Sequence, residues 1–195
     1  MRPVLCLITD RGRLGADWEH ATVERVRAAA RAGVDLVQVR ERELDGGPLA
    51  RLVRACVDAV RGTRTRVLVN DRLDVALAAG AHGVHLRADS MPGSRVRRVV
   101  PPGFLVGRSV HSVEEAAAAA DGSLDYLIFG TVFETASKPG REAAGLSALA
   151  AVSRATPLPV LAVGGITAAR IEPVVAAGAA GVAGISMFDT PLRVP

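Results

Sequence analysis

Apolar residues in this chain fall into two rhythms. Short unbroken runs, such as VLCLI near the start and YLIFG further on, alternate with Ala-rich stretches patterned like amphipathic helices. An unbroken run marks a strand buried on both faces, as in a parallel sheet covered by helices. A recurring phrase joins the two: a helical stretch, a glycine, then a strand. It reads RAAARAGVDLVQVR (27–40), ALAAGAHGVHLR (76–87) and VVAAGAAGVAGIS (174–186), with AAAAADGSLDYLIFG (116–130) a looser copy. Gly33, Gly80 and Gly178 stand where a helix C-terminus calls for positive φ.

The pattern predicts strands near 4–9, 35–40, 66–70, 83–86, 104–108, 125–130, 159–163 and 181–185. Helices fill the intervals near 17–32, 47–61, 72–79, 91–99, 112–120, 145–155 and 167–177. Right-handed crossovers then make the strands parallel. Eight strands with seven intervening helices predict an α/β fold, a (β/α)8 TIM barrel, as one domain over 1–195. A doubly wound sheet fits less well, because no GxGxxG follows the first strand. After the last strand only FDTPLRVP remains, short and proline-rich. The eighth helix is therefore expected to be short or missing, leaving one flank of the barrel uncovered.

Composition narrows the function classes. One Trp, one Tyr and four Phe suit helices packed closely on a parallel sheet better than an aromatic-rich sandwich. No apolar run reaches the roughly 18 residues of a membrane span. The opening MRPVLCLITDRGR reads as a strand, since Thr9-Asp10-Arg11 replaces a leader's cleavage site. Cys6 and Cys56 read as buried thiols of a cytoplasmic protein, matching no metal spacing. The net charge of +4 is spread along helices rather than gathered in one block, which argues against a nucleic-acid partner.

Chemistry in such a barrel collects where strands end and βα loops begin. Polar residues gather there: Thr9-Asp10-Arg11; Gln38, Arg40 and Arg42; Asn70-Asp71-Arg72; His85, Arg87 and Asp89; Arg108-Ser109 with His111; Thr131, Glu134, Thr135, Ser137 and Lys138; Gly164-Gly165; and Ser186. Guanidiniums, one lysine, hydroxyls and glycine turns on one rim make an anion site. At Gly164-Gly165, backbone N–H groups can face a phosphate without a Cβ in the way. Asp71 and Asp89 beside a phosphate suggest Mg²⁺ as cofactor. Structural readings stand beside these. Asp71 also fits the cap of the helix near Arg72, Asp10 and Asp89 fit loop turns, and Arg42 fits a surface pair with Glu41 or Glu43. His85, on an apolar strand, reads as a barrel-interior histidine rather than a ligand.

The segments LITDR, DLVQVRERE, VLVNDRLDVAL, AAGAHGVHL, GRSVHSVEEA, DYLIFGTVFETASKPG, LPVLAVGGI and AGAAGVAGIS occur in order along nearly the whole chain. They resemble the superfamily of thiamin phosphate synthase and its sister, the thiazole tautomerase of thiamin biosynthesis. The synthase branch implies condensation of aminopyrimidine methyl diphosphate with thiazole ethyl phosphate, releasing pyrophosphate with the help of Mg²⁺. That resemblance implies catalytic roles for Arg40, Ser109 and Lys138. It implies substrate contacts for Gln38, Arg42, Asn70, Thr131, Thr135, Ser137, Gly164, Gly165 and Ser186, and a metal contact for Asp71, with Asp89 the carboxylate nearest the place of the second. The partners are then the two small phosphorylated substrates, with no membrane or nucleic acid; a homodimer is compatible.

Three positions depart from the patterns. Arg42 stands where the synthase has Lys. Ser90 stands where it has a second metal-binding Asp, with Asp89 one residue earlier. Thr131 stands where the tautomerase carries its histidine base, within a motif (FGxVFET) whose wording is closer to that sister. A threonine hydroxyl is no base near neutral pH. Function lives in the site, so the residues favour the synthase over the tautomerase, with a non-catalytic thiazole-phosphate-binding relative as a third reading.

Overall fold

The computed structural model describes residues 2–135, 140 and 142–189. Eight strands form: β1 Val4–Ile8, β2 Leu36–Val39, β3 Arg66–Asn70, β4 Gly83–Leu86, β5 Leu105–Val110, β6 Tyr126–Gly130, β7 Val160–Val163 and β8 Gly181–Gly184. Each pairs in parallel with its sequence neighbours, and β8 returns to β1 through Val4↔Gly181 and Leu5↔Val182, closing the barrel. Between successive strands lie α1 Trp18–Arg31, α2 Gly46–Ala59, α3 Leu73–Ala78, α4 Gly93–Arg97, α5 Val113–Ala118, α6 Gly145–Arg154 and α7 Ile171–Ala176. The TIM barrel expected from the repeated phrase is the fold observed.

Strand alternation divides the apolar residues between two cores. One set fills the barrel itself: Cys6, Ile8, Leu36, Leu68, Tyr126, Ile128, Leu161 and Ala183. The other set points outward and meets the helices. In α2 the buried positions are Leu49, Leu52, Val53 and Cys56, the i, i+3, i+4, i+7 stripe that turns one helix face to a sheet. Each such aliphatic side chain contributes about 1.5–3 kcal/mol by leaving water. Both cysteines are free and buried, and burial pushes each thiol up to about 12. Gly33, Gly80 and Gly178 take φ of 83°, 69° and 97° at the ends of α1, α3 and α7, the left-handed turn that the repeat predicts.

Two helices are shorter than the periodicity suggests. α4 begins only after Pro92, and α7 is preceded by a 3-10 turn at Ala168–Arg170. β5 runs longer than expected, through Ser109 to Val110. That extension keeps Ser109 in the strand, so alternation turns its side chain inward.

After β8 the described chain makes one 3-10 turn, Ser186–Phe188, where an eighth helix would begin. Met187 tucks into the outer core. Arg13 and Arg25 both pair with Asp189, and Arg25 also donates to the Ile185 carbonyl, so α1 and the turn before it hold this end of the chain. Residues 190–195 of the proline-rich tail lie outside the described residues.

Candidate active site

The C-terminal rim gathers its polar groups strand by strand. At β1 and β2 a small network fixes the backbone. The Thr9 hydroxyl donates to Glu41 Oε1 and accepts from the Arg40 amide at 3.0 Å, while Glu41 Oε2 accepts from the Arg11 amide at 3.0 Å. Glu41 is only 4% exposed, and burial raises its carboxyl pKa against the pull of these donors. Glu41, a surface partner for Arg42 on the sequence alone, is inside, tying the Arg40 backbone to the end of β1. Asp10 takes its structural role, accepting from the Gly12 amide at 3.2 Å to cap the turn Arg11–Arg13. Arg11 lies over the Trp18 ring, 5.2 Å from its centroid.

Gln38 is buried, and its amide donates to Asn70 Oδ1 at 3.4 Å. Arg40 is half-buried. Burial first, and then the nearby Arg42, lower its pKa against the pull of Asp10, Glu43 and Glu41. Arg42 is exposed beside it, without the surface pairing to Glu41 that the sequence allows.

Asn70 lies in register with His85, and the Asp71 amide donates to the His85 carbonyl at 2.9 Å. Asp71 has φ of 62°, a left-handed conformation that a non-glycine residue adopts only under constraint. It does not cap α3; Arg72 holds that position. Its carboxylate instead accepts from the Ser90 hydroxyl and faces Arg87 Nη1 at 3.7 Å. Asp89, the second carboxylate expected from the sequence, pairs with Arg87. Arg87 Nε donates to Asp89 Oδ1 at 2.9 Å, and the Asp89 side chain is 68% exposed. Arg87 thus stands between the two acids and lowers the Asp89 pKa. Among the described residues no group of three or more His, Cys, Asp or Glu is placed to hold a metal. Asp71 with Ser90 fits the other common arrangement for Mg²⁺, one carboxylate with the remaining oxygens supplied by phosphate and water.

Inside the barrel, His85 is bonded through both ring nitrogens, Nδ1 to the Tyr126 hydroxyl at 3.0 Å and Nε2 to Ser109 Oγ at 2.9 Å. Burial, and secondarily Arg108, push its pKa down to about 3. The interior reading of His85 holds. Its folded-state pKa lies below the usual 6.5, so the unfolded chain binds the proton more tightly between those values, and stability falls as pH drops from about 6.5 toward 3. The slope is about 1.4 kcal/mol per pH unit at most. Urea midpoints measured across this window should fall less steeply for His85→Asn than for wild type; parallel slopes would show that His85 does not titrate this way.

The loops after β6 and β7 pack on each other. Val132 and Phe133 amides donate to the Val163 and Gly164 carbonyls at 2.9 and 3.1 Å. Gly164 and Gly165 have φ of 100° and 62°, and a Cβ at Gly165 would meet Glu134 O at 2.4 Å. Glycine is required there for the close approach of the β6 loop as well as for any anion. Arg170 stacks on Phe133 at 4.4 Å and donates to Gly165 O at 2.6 Å, a clamp that no sequence motif signals. Thr131 is buried, with Gly164 packed against it. Thr135 is half-buried in the same loop, and Ser186 is exposed at the end of β8. His111 Nδ1 lies 3.0 Å from the Gly130 carbonyl. Ser137 and Lys138 lie outside the described residues. Gln38, Asn70, His85 and Ser109 are therefore brought together across β2 to β5, with Arg40 and Asp71 at their edge.

Comparison with known proteins places this geometry. Residues 5–188 match the family model described as Thiamine monophosphate synthase. The chain is 44% identical over 186 residues to the thiamine-phosphate synthase of Methanoculleus marisnigri, covering 93% of this chain and 85% of that protein. It is 40% identical to the thiamine-phosphate synthase of Roseiflexus castenholzii, covering 95% and 80%. Among solved structures, thiamine phosphate pyrophosphorylase from Pyrococcus furiosus superposes with a TM-score of 0.83 at 31% identity, over 98% of this chain and 93% of that one.

Proposed function

The chain belongs to the thiamine monophosphate synthase family, and from that premise we propose that it joins aminopyrimidine methyl diphosphate to thiazole ethyl phosphate and releases pyrophosphate. The observation that carries the reading is the rim itself. Donors to anions surround it, and the imidazole nearest Ser109 has both ring nitrogens engaged by hydroxyls and its basicity lowered by burial, which suits it poorly to moving a proton. The condensation suits such a site. The bond from the pyrimidine methylene carbon to the diphosphate oxygen breaks, and its electron pair leaves with pyrophosphate. The thiazole nitrogen lone pair then forms the new C–N bond to that carbon, and no proton has to move.

Each residue has a role in that scheme. Arg40 and Ser109 donate to the departing pyrophosphate, whose charge grows as the bond breaks, and the resemblance gives Lys138 the third such role. Gln38 and Asn70, amides bonded to one another, present the remaining edge to the pyrimidine ring. Arg42, Thr135, Gly164, Gly165 and Ser186 line the phosphate end, the role the resemblance also gives Ser137. Asp71, with Ser90 beside it, would hold Mg²⁺, which when bound neutralises diphosphate charge. Buried free thiols, and described helices none of which is long and apolar enough to cross a membrane, suit a cytoplasmic enzyme.

A pair of assays tests the reading. Purified protein with both substrates and Mg²⁺ should release pyrophosphate and form thiamin phosphate. The same protein should not isomerise the thiazole phosphate carboxylate of the tautomerase reaction. Isomerisation without condensation would overturn the proposal and direct attention to His111 as base. Tight binding of thiazole phosphate with neither turnover would overturn it in favour of a binding protein.

A further inference from the structure

We propose that Tyr126 and His85 form a positioning chain that sets the Ser109 hydroxyl as a donor toward the anion at the rim. The idea rests on the reading above for the identity of that anion, but its geometry stands separately. Three strands contribute one residue each: Tyr126 on β6, His85 on β4 and Ser109 on β5 between them. The rings of His85 and Tyr126 lie 5.6 Å apart at 35°. The barrel makes room for this contact at Gly107, where a Cβ would stand 2.1 Å from Tyr126 Cζ.

The direction of the chain follows from hydrogen-bond accounting. No described carboxylate touches the imidazole, and Arg108 is the charged group closest in influence, so the ring is neutral. A neutral imidazole has one donor nitrogen and one acceptor nitrogen. Tyr126 is buried, and among the described residues its hydroxyl meets only His85 Nδ1. Were Nδ1 the donor, the phenol hydrogen would be left buried with no acceptor, the costly case. The phenol therefore donates to Nδ1, the ring proton sits on Nε2, and Nε2–H donates to Ser109 Oγ. With that lone pair occupied, the Ser109 hydrogen is turned toward the half-exposed rim. A phosphate oxygen accepts and cannot donate, so this tautomer suits it. The opposite tautomer would aim lone pairs at the anion.

Histidine ¹⁵N spectra of the protein labelled at its four histidines decide the first half, the His85 signals being assigned by their loss in His85→Asn. Wild type should show His85 protonated at Nε2. In Tyr126→Phe, which keeps the ring and removes the donor, proton density should move to Nδ1. Inorganic pyrophosphate titrated into the two proteins should then bind about tenfold more weakly to the variant, the loss of one oriented bond to a charged group. Turnover should fall by a similar factor, with KM for the pyrimidine diphosphate changing less. An Nδ1–H tautomer or an imidazolium in wild type would overturn the chain, and so would unchanged pyrophosphate binding by a folded Tyr126→Phe. If that variant does not fold, the wild-type tautomer decides alone. Tautomer and pyrophosphate effects as expected, in a protein that performs no condensation, would sustain the chain and sink the enzymatic reading.

Discussion

Replacing Asp71 with Asn is expected to lower condensation about 10³-fold while leaving the barrel folded. The choice of Asn matters. Asp71 sits at φ of 62°, and Asn is among the few side chains that tolerate the left-handed region. The Asn carbonyl can still accept from the Ser90 hydroxyl that now meets Asp71 Oδ1. What disappears is the negative charge, the one property a Mg²⁺ ligand needs and a turn residue does not. Asp71→Ala would mix this loss with backbone strain and report less cleanly. The measurement is pyrophosphate release against Mg²⁺ concentration, alongside a urea melt. Turnover within a fewfold of wild type, or wild-type turnover that survives excess chelator, would remove Asp71 from the metal role.

Replacing Arg40 with Gln should cost about 10² to 10³ in turnover, the range for removing one oriented donor from a developing anion. The apo protein should lose no stability and should gain slightly. The reason lies in the environment: burial and the Arg42 charge disfavour the Arg40 cation by more than Asp10, Glu43 and Glu41 favour it, so the free enzyme holds it under electrostatic tension. Bound pyrophosphate relieves that tension, whereas a neutral amide never experiences it. The prediction thus has two signs, weaker pyrophosphate inhibition with an unchanged or higher urea midpoint. A variant that loses stability in step with activity would assign Arg40 a structural role, joined to the Thr9 and Glu41 network through its backbone.

These expectations depend on how far the rim can be read without coordinates. The strands are legible because a parallel barrel buries both faces of each one, leaving unbroken apolar runs that end abruptly in polar residues. Gln38, Asn70 and Ser109 were identifiable on that basis. Glu41 was not: its burial depends on a hydroxyl and an amide from the turn after β1, some thirty residues earlier in the chain. The exchange between Asp89 and Ser90 was equally hidden. It turns on a one-residue register in a loop, where the Ser90 side chain meets Asp71 and Asp89 turns to Arg87. Arg170 reads as one of many helix-terminal arginines until the β6 loop is folded across it. Lys138 is a contrasting case, conspicuous in the sequence as the only lysine among 24 basic residues.

The seam between β1 and β8 bears on how the protein is made. Of the barrel's strands, Val4–Ile8 leaves the ribosome first and Gly181–Gly184 last, yet each supplies the other's backbone partners. At a synthesis rate of 5–20 residues per second, the outer edge of β1 waits roughly 10 to 35 s for its neighbour. During that time the growing sheet is an open, twisted ribbon with an apolar interior face and an unpaired row of amides, the geometry that invites pairing between nascent chains. Crowding of polysomes should therefore trap this protein more readily than heating the finished barrel, and slowing translation of its last repeat should raise the insoluble fraction.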